Sequence, residues 1–239
     1  MLKRWIYILL SITALNSSAQ NIIGLSSGIV TKQTTSPQMT TKTNEIILWS
    51  RSYDDPRIFI AFYFETGLLK KYRVKQELSI YQSSHVYELL VPTNDPNSNF
   101  TYFNPVAHIT FTTVNYRSLI QFIKRHNFSF KVGPSLDFDF VKVPYTKPPY
   151  FSPDYPEAAE LEKSLEDGFN PVTLYADVEV NYNWKRFDFA VSYKYSLTSQ
   201  TGKFVYDGNQ HSLRSTSTQL FVRLGYRFFV KEKNENKQN

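Results

Sequence analysis

The chain has 239 residues, with 27 basic and 21 acidic side chains, and it contains no cysteine. That excludes a disulfide scaffold, a thiolate metal site, a cysteine nucleophile and a lipid-modified amino-terminal cysteine. Aromatic residues make up 16%, including 17 Tyr and 19 Phe, although the mean hydropathy is negative; many rings in a polar chain favour strands over helices.

The chain opens with "MLKRWIYILLSITALNSSAQ". Lys3 and Arg4 precede an apolar run from Trp5 to Leu15, and Ser17 and Ala19 follow at the spacing that a signal peptidase needs. Cleavage is expected between Ala19 and Gln20, which makes residues 1–19 a signal peptide. The alternative, an amino-terminal membrane anchor, calls for an apolar run of ~20 residues, and this one is shorter. Removing Lys3 and Arg4 from the 27 basic residues leaves 25 against 21 acidic. That excess suits anionic lipid headgroups but is a weak pointer to any partner. No later apolar run approaches the length of a membrane-crossing helix. An exported chain of this kind is either soluble or a transmembrane β-barrel.

From there the hydrophobic pattern has period two, the signature of strands with two different faces. "IIGLSSGIV" is a short first strand. "RIFIAFYFE" sets Ile58, Ile60, Phe62 and Phe64 against Arg57, Ala61 and Glu65. "KYRVKQELSIY" sets Tyr72, Val74, Leu78 and Ile80 against Lys71, Arg73, Lys75, Glu77 and Ser79. "ITFTTVNYRSLIQFIK" changes parity near Thr112 or Thr113, which reads as a bulge. "FSFKVGPSLDFDF" opposes Phe128, Phe130, Val132, Leu136, Phe138 and Phe140 to Ser129, Lys131, Gly133, Ser135, Asp137 and Asp139. Pro134, on its apolar parity, marks a local break in the ladder.

The segment "VPYTKPPYFSPDYPEAAELEKSLEDGFNP" comes next. Its second half reads either as a short helix or as a disordered loop. In the helical reading Asp154 is the cap, Pro156 lies in the first turn and Gly168 is the stop. Leu161 and Leu165, spaced i, i+4, would then pack on a rim. Two of the clearest strands follow. "VTLYADVEVNYNW" places Val172, Leu174, Ala176, Val178, Val180, Tyr182 and Trp184 on one face, and "RFDFAVSYKYSL" does the same with Phe187, Phe189, Val191, Tyr193, Tyr195 and Leu197. The eighth strand, "QLFVRLGYRFFV", carries Leu220, Val222, Leu224, Tyr226 and Phe228 on one parity and Arg223 and Arg227 on the other. The polar tail "KEKNENKQN", residues 231–239, reads as disordered.

The connections alternate. Long ones are expected at about Thr31–Asp55, Ser83–Asn104, Val143–Pro171 and Ser199–Thr216, and short ones at Thr66–Leu69, Arg125–Asn127 and Trp184–Lys185. This rhythm predicts an all-β fold over residues 20–230: an eight-stranded antiparallel up-and-down transmembrane β-barrel with long extracellular loops and short periplasmic turns. A lipocalin-like barrel would instead turn its apolar face inward. Against that, the apolar face holds more rings than a small interior can contain, and Tyr182, Trp184, Phe187, Tyr226 and Phe228 gather near the turns like an interfacial girdle. In the lumen, Arg117, Lys131, Arg223 and Arg227 are expected to pair with Glu77, Asp137, Asp139, Asp177, Glu179 and Asp188.

The last strand resembles the carboxy-terminal assembly signal of outer-membrane barrels in its aromatics Tyr226 and Phe228, although nine residues follow Val230. With the "AQ" cleavage site, "KQELSIY", "NYRSLIQFIK" followed by "FSFKVGPSLDF", and "LGYRF", the mature chain resembles the Bacteroidota outer-membrane β-barrel family that includes the PorT-like proteins. That resemblance implies an eight-stranded barrel in the cell outer membrane; some members serve secretion or gliding machinery.

Chemistry would need a serine or water activated by a histidine and oriented by a carboxylate. Of the four histidines, His85 beside Ser83 or Ser84, and His211 with Ser212 and Asp207, can be drawn that way. His85 and His211 are expected in or near outer loops and His126 in a short periplasmic turn; no two of the four histidines, His108 included, have metal-ligand spacing. No catalytic, cofactor-binding or metal residues are assigned, and no cofactor or nucleic-acid partner is expected. An eight-stranded lumen is filled by side chains, so no open channel is expected either. The expected role is a non-enzymatic structural or interaction protein, as an accessory subunit of an envelope or secretion machine. The alternatives are a stand-alone barrel that binds glycan, lipopolysaccharide or host ligands through its loops, or a lipid A-modifying enzyme. Its expected partners are outer-membrane lipid and lipopolysaccharide, the barrel-assembly machinery and envelope proteins.

Overall fold

Period-two sequences make strands, and a strand with two unlike faces needs a structure with two unlike sides. The computed structural model describes residues 21–36, 39–40, 47–53, 56–68, 72–92, 102–103, 106–141, 163–165, 167–206 and 208–230. Eight long strands dominate it: β1 (Ile22–Thr35), β2 (Arg57–Leu68), β3 (Tyr72–Pro92), β4 (Val106–Arg125), β5 (Phe128–Val141), β6 (Val172–Trp184), β7 (Phe187–Ser196) and β8 (Thr216–Val230). Each pairs antiparallel with the next. The last closes on the first, from Ile22↔Val230 to Thr35↔Thr216. The result is a closed up-and-down barrel with no free edge.

The two faces sort as the pattern demands. Leu220, Val222, Leu224, Tyr226 and Phe228 of β8 point outward, while Ser217, Gln219, Phe221 and Arg223 are buried inside. The exterior is mostly apolar; Ile58, Ile60, Phe62, Leu78, Ile80 and Phe140 are all more than half exposed. Rings form a connected belt near the short turns: Phe128 lies 4.8 Å from Tyr182, Trp184 6.2 Å from Phe187, Phe187 5.4 Å from Tyr226, and Tyr226 5.5 Å from Phe228. An apolar outside, a charged inside and closure without an edge are the conditions for strands to cross lipid. The chain is a transmembrane β-barrel of the outer membrane, and the short-turn end faces the periplasm.

Several strands run further than the alternation predicts. β3 continues to Pro92 and β4 begins at Val106, so Ser83 to Pro92 is strand rather than loop. A further strand, Ile47–Tyr53, wedges between β1 and β3 beyond the end of β2, pairing Gln33↔Tyr53 on one side and Ile47↔Leu90 on the other. The sheet therefore projects from the membrane on its long-loop side. The alternation faded there because a strand clear of lipid no longer needs an apolar face.

The bulge expected at Thr112 or Thr113 is absent. Phe111, Thr113, Asn115, Arg117 and Leu119 alternate inward without a break, and the register shift lies between Gln121 and Ile123 instead. Phe111 misled the reading: it is an aromatic residue on the lumen side, stacked on Phe169 at 4.3 Å. The break at Pro134 is present, since the β4–β5 register passes from Arg117↔Ser135 to Ile120↔Val132 with no partners between. Proline has no N–H to give the ladder. Gly133 beside it lets the backbones close up, because a Cβ there would stand 2.0 Å from the Ser118 carbonyl oxygen.

In the longest connection, residues 163–165 and 167 are helical and Gly168 ends the turn, its N–H donating to the Ser164 carbonyl at 3.1 Å. Leu165 is fully buried. Asp154, Pro156 and Leu161 lie outside the described residues, as do residues 1–19 and the tail 231–239.

Candidate functional site

Inward parity from five strands brings the central ionisable side chains into one lumen. Lys75 and Glu77 come from β3, Arg117 from β4, Asp177 and Glu179 from β6, Asp188 from β7 and Arg223 from β8, all at most 3% exposed. Arg117 is the hub. Its Nε reaches Asp177 Oδ2 at 2.7 Å and its Nη2 reaches Asp177 Oδ1 at 3.0 Å, a bidentate pair. The same guanidinium donates to Glu77 at 2.9 Å and lies 3.2 Å from Glu179. Lys75 bridges Glu77 at 2.6 Å and Glu179 at 3.1 Å. Arg223 bonds Glu77, and also Glu179 at 3.3 Å and Asp188 at 3.2 Å. Lys131 pairs with Glu65, and Lys194 lies 3.8 Å from Asp137 and 4.2 Å over the Phe221 ring.

Among the described residues, five cations thus interleave with six carboxylates in these pairs. Near balance at close range, with the groups tied to one another, closes the bore rather than lining a path. Of the expected partners, Arg117, Lys131 and Arg223 do join Glu77, Asp177, Glu179 and Asp188, whereas Asp137 pairs with Lys194 instead. Arg227 does not join them: it is half-buried at the periplasmic mouth. Among the described residues Asp139 meets no cation within ion-pair distance; it accepts from Thr113 at 2.5 Å and Gln200 at 3.1 Å. Lys75, Glu65 and Lys194 joined the network without having been singled out. Their inward parity was the available signal.

Above the network the lumen turns to hydroxyls, amides and rings. Asp137 accepts from Tyr81 at 3.0 Å, Asn115 at 2.6 Å and Gln219 at 2.6 Å. An inward apolar cluster of Val30, Phe59, Ala61, Tyr81 and Phe221 seals one side, with Phe59 and Phe221 edge to face at 5.1 Å. Two outer connections then fold over the opening. Phe169 pairs with Thr201, Asn170 N–H donates to the Gln200 carbonyl at 2.7 Å, and Gly202 N–H donates to the Gly168 carbonyl at 2.7 Å. Ser215 Oγ, 3.2 Å from the Thr201 hydroxyl, holds the returning chain.

The histidines are dispersed. His85 is not in an outer loop but fully buried in the lumen, edge-on to Phe169 at 6.3 Å, and the Ser83 hydroxyl is engaged with Thr113 at 2.7 Å. His211 lies in a hairpin formed by Lys203–Tyr206 and Asn209–Ser212, stacked on Phe204 at 5.6 Å, and Asp207 is outside the described residues. His126 occupies a periplasmic turn, and His108 lies in β4. Among the described residues, no group of three or more His, Asp or Glu is placed to hold a metal ion.

No protein-family model matches this chain, and no curated protein matches it by sequence. Among solved structures it is similar to Ail, the attachment invasion locus protein of Yersinia pestis, seen in complex with the heparin analogue sucrose octasulfate. The two are 10% identical over 87% of this chain and 99% of that one, with a TM-score of 0.42. It is also similar to outer membrane protein AlkL in DMPC bilayers, at 7% identity over 90% and 92% and a TM-score of 0.47. Outer membrane protease OmpT from Escherichia coli is 9% identical over 89% and 98%, with a TM-score of 0.38. With TM-scores below 0.5, none of these bears on what this chain does, and the membrane assignment rests on the barrel's own exterior.

Proposed function

We propose that this barrel is a non-enzymatic interaction protein of the outer membrane, an accessory subunit of an envelope or secretion machine, and that it belongs with the PorT-like barrels its sequence resembles. The supporting observation is a lumen blocked by its own ion pairs beneath a sheet that projects outward. β3 has 21 residues and β4 has 20, whereas a crossing strand needs only about 9–11. The surplus is paired sheet outside the lipid, suited to contact with a partner. Lipid and lipopolysaccharide around the exterior, and the barrel-assembly machinery acting on β8, complete the proposed partners.

Extraction of the native protein in mild detergent, followed by identification of what co-purifies, tests the proposal. A defined set of envelope proteins is the expected result. A lone barrel would overturn the machine role and favour a stand-alone barrel binding glycan, lipopolysaccharide or host ligands. Lipid A of unchanged mass after gene deletion is expected, and an altered mass would point to a lipid-modifying enzyme.

A further inference from the structure

Between the central ion-pair network and the folded outer connections, the lumen holds a buried cation that stands outside that network. Lys32 of β1 faces inward at 3% exposure, and its Nζ has no hydrogen-bond partner. Val30, the inward residue before it, pairs with Arg57 at the outer end of β2. The register therefore sets Arg57 beside Lys32 on the lumen side of the wall. Arg57 is half-buried, and its Nε is enclosed with no hydrogen-bond partner. A buried ammonium without an acceptor is costly, and a second cation next to it adds repulsion.

The surroundings of Lys32 show the same shortage of acceptors. Asp139 of β5 lies within electrostatic reach of Lys32, but its oxygens accept from Thr113 and Gln200, and among the described residues it forms no ion pair. Thr173 of β6 pairs with Asp137, one inward position below Asp139, and is fully buried with its hydroxyl unpartnered. Thr34, the inward residue above Lys32, is in the same condition. Asp137 is matched by Lys194. Two cations, Lys32 and Arg57, against the one remaining carboxylate, Asp139, leave a single positive charge unmatched at this level. Beside it are buried donors from β1, β2 and β6 with nothing to donate to.

We infer that Lys32 and Arg57 form a binding site for a small monocarboxylate at the outer end of the lumen. One unmatched charge calls for a monovalent anion. A planar carboxylate fits the N–H fork of the Arg57 guanidinium, and its remaining lone pairs suit the Lys32 ammonium and the threonine hydroxyls. Arg57, as the half-buried member, is the side from which solvent meets the site. The inference rests on the barrel geometry and is independent of any role in a machine.

The full mature chain, refolded from urea into zwitterionic nanodiscs, is titrated with fluoroacetate and followed by the fluorine linewidth. Saturable broadening that acetate reverses is expected, with none for the neutral amide fluoroacetamide. Arg57→Gln should weaken binding about tenfold. Lys32→Met, which keeps the apolar stem and removes the charge, should abolish it. Lys203→Gln, on the outer hairpin, should leave it unchanged. Heat-modified gel mobility verifies folding of each variant. If Lys32→Met does not assemble, Arg57→Gln, at the half-buried edge of the site, carries the test. Three results would each overturn the assignment: no saturable broadening, equal binding by wild type and Arg57→Gln, or displacement by chloride as complete as by acetate at equal ionic strength.

Discussion

Arg117 shows how much one residue can hold in a closed lumen. Its guanidinium touches Glu77 from β3 and both Asp177 and Glu179 from β6, so a single side chain spans the barrel. Removing it leaves three carboxylates buried and short of a partner. Arg117→Ala should cost about 3–5 kcal/mol, read as a lower urea midpoint in detergent micelles. Gly133 matters for a different reason. With the Ser118 carbonyl oxygen 2.0 Å from where a Cβ would stand, Gly133→Ala forces β4 and β5 apart. It should slow assembly and lower the heat needed to unfold the barrel on a gel, while an exposed change such as Lys203→Ala should do neither. Neither role was visible in the sequence: parity places Arg117 inside, but which carboxylates it meets depends on the stagger of strands 40 to 62 positions away.

At the scale of the strand, β8 is the clearest test of the two faces. Leu224 is half exposed on the lipid side and pairs with Ser27 of β1 and Phe189 of β7. Leu224→Arg places a charge in the apolar belt, at a cost of about 2–4 kcal/mol near mid-bilayer. The fraction of protein reaching the heat-modifiable, membrane-inserted form should fall; normal insertion would mean that the faces are reversed. β8 was legible because its outward positions from Leu220 to Phe228 are all apolar. β4 was less so, since Phe111 and Leu119 are apolar residues facing inward, and a pattern of hydrophobicity cannot separate a lipid-facing ring from one stacked in the mouth.

Across the whole molecule, closure turns local alternation into two separate environments. The interior is occupied by ion pairs and covered by folded outer connections, so reconstituted protein in planar bilayers should give no steady ohmic steps. A reproducible open state would contradict the packed lumen. Because the paired charges are buried, raising salt from low to molar concentration should shift the urea midpoint little, whereas a barrel held by surface pairs would weaken measurably.

The sequence by itself determined the strand count, the alternation of long and short connections, the outward face and the sign of the lumen residues. Each of these follows from period two and from turn chemistry, which act over a few neighbouring residues. Only the tertiary structure decided which charges pair, where the ladder shifts, how far β3 and β4 project and which loops fold over the mouth. It also set the unpartnered Lys32 beside Arg57 at the outer end of the lumen. These depend on the register of strands far apart in the chain, and register is set by closure of the whole barrel, a condition that no single segment carries.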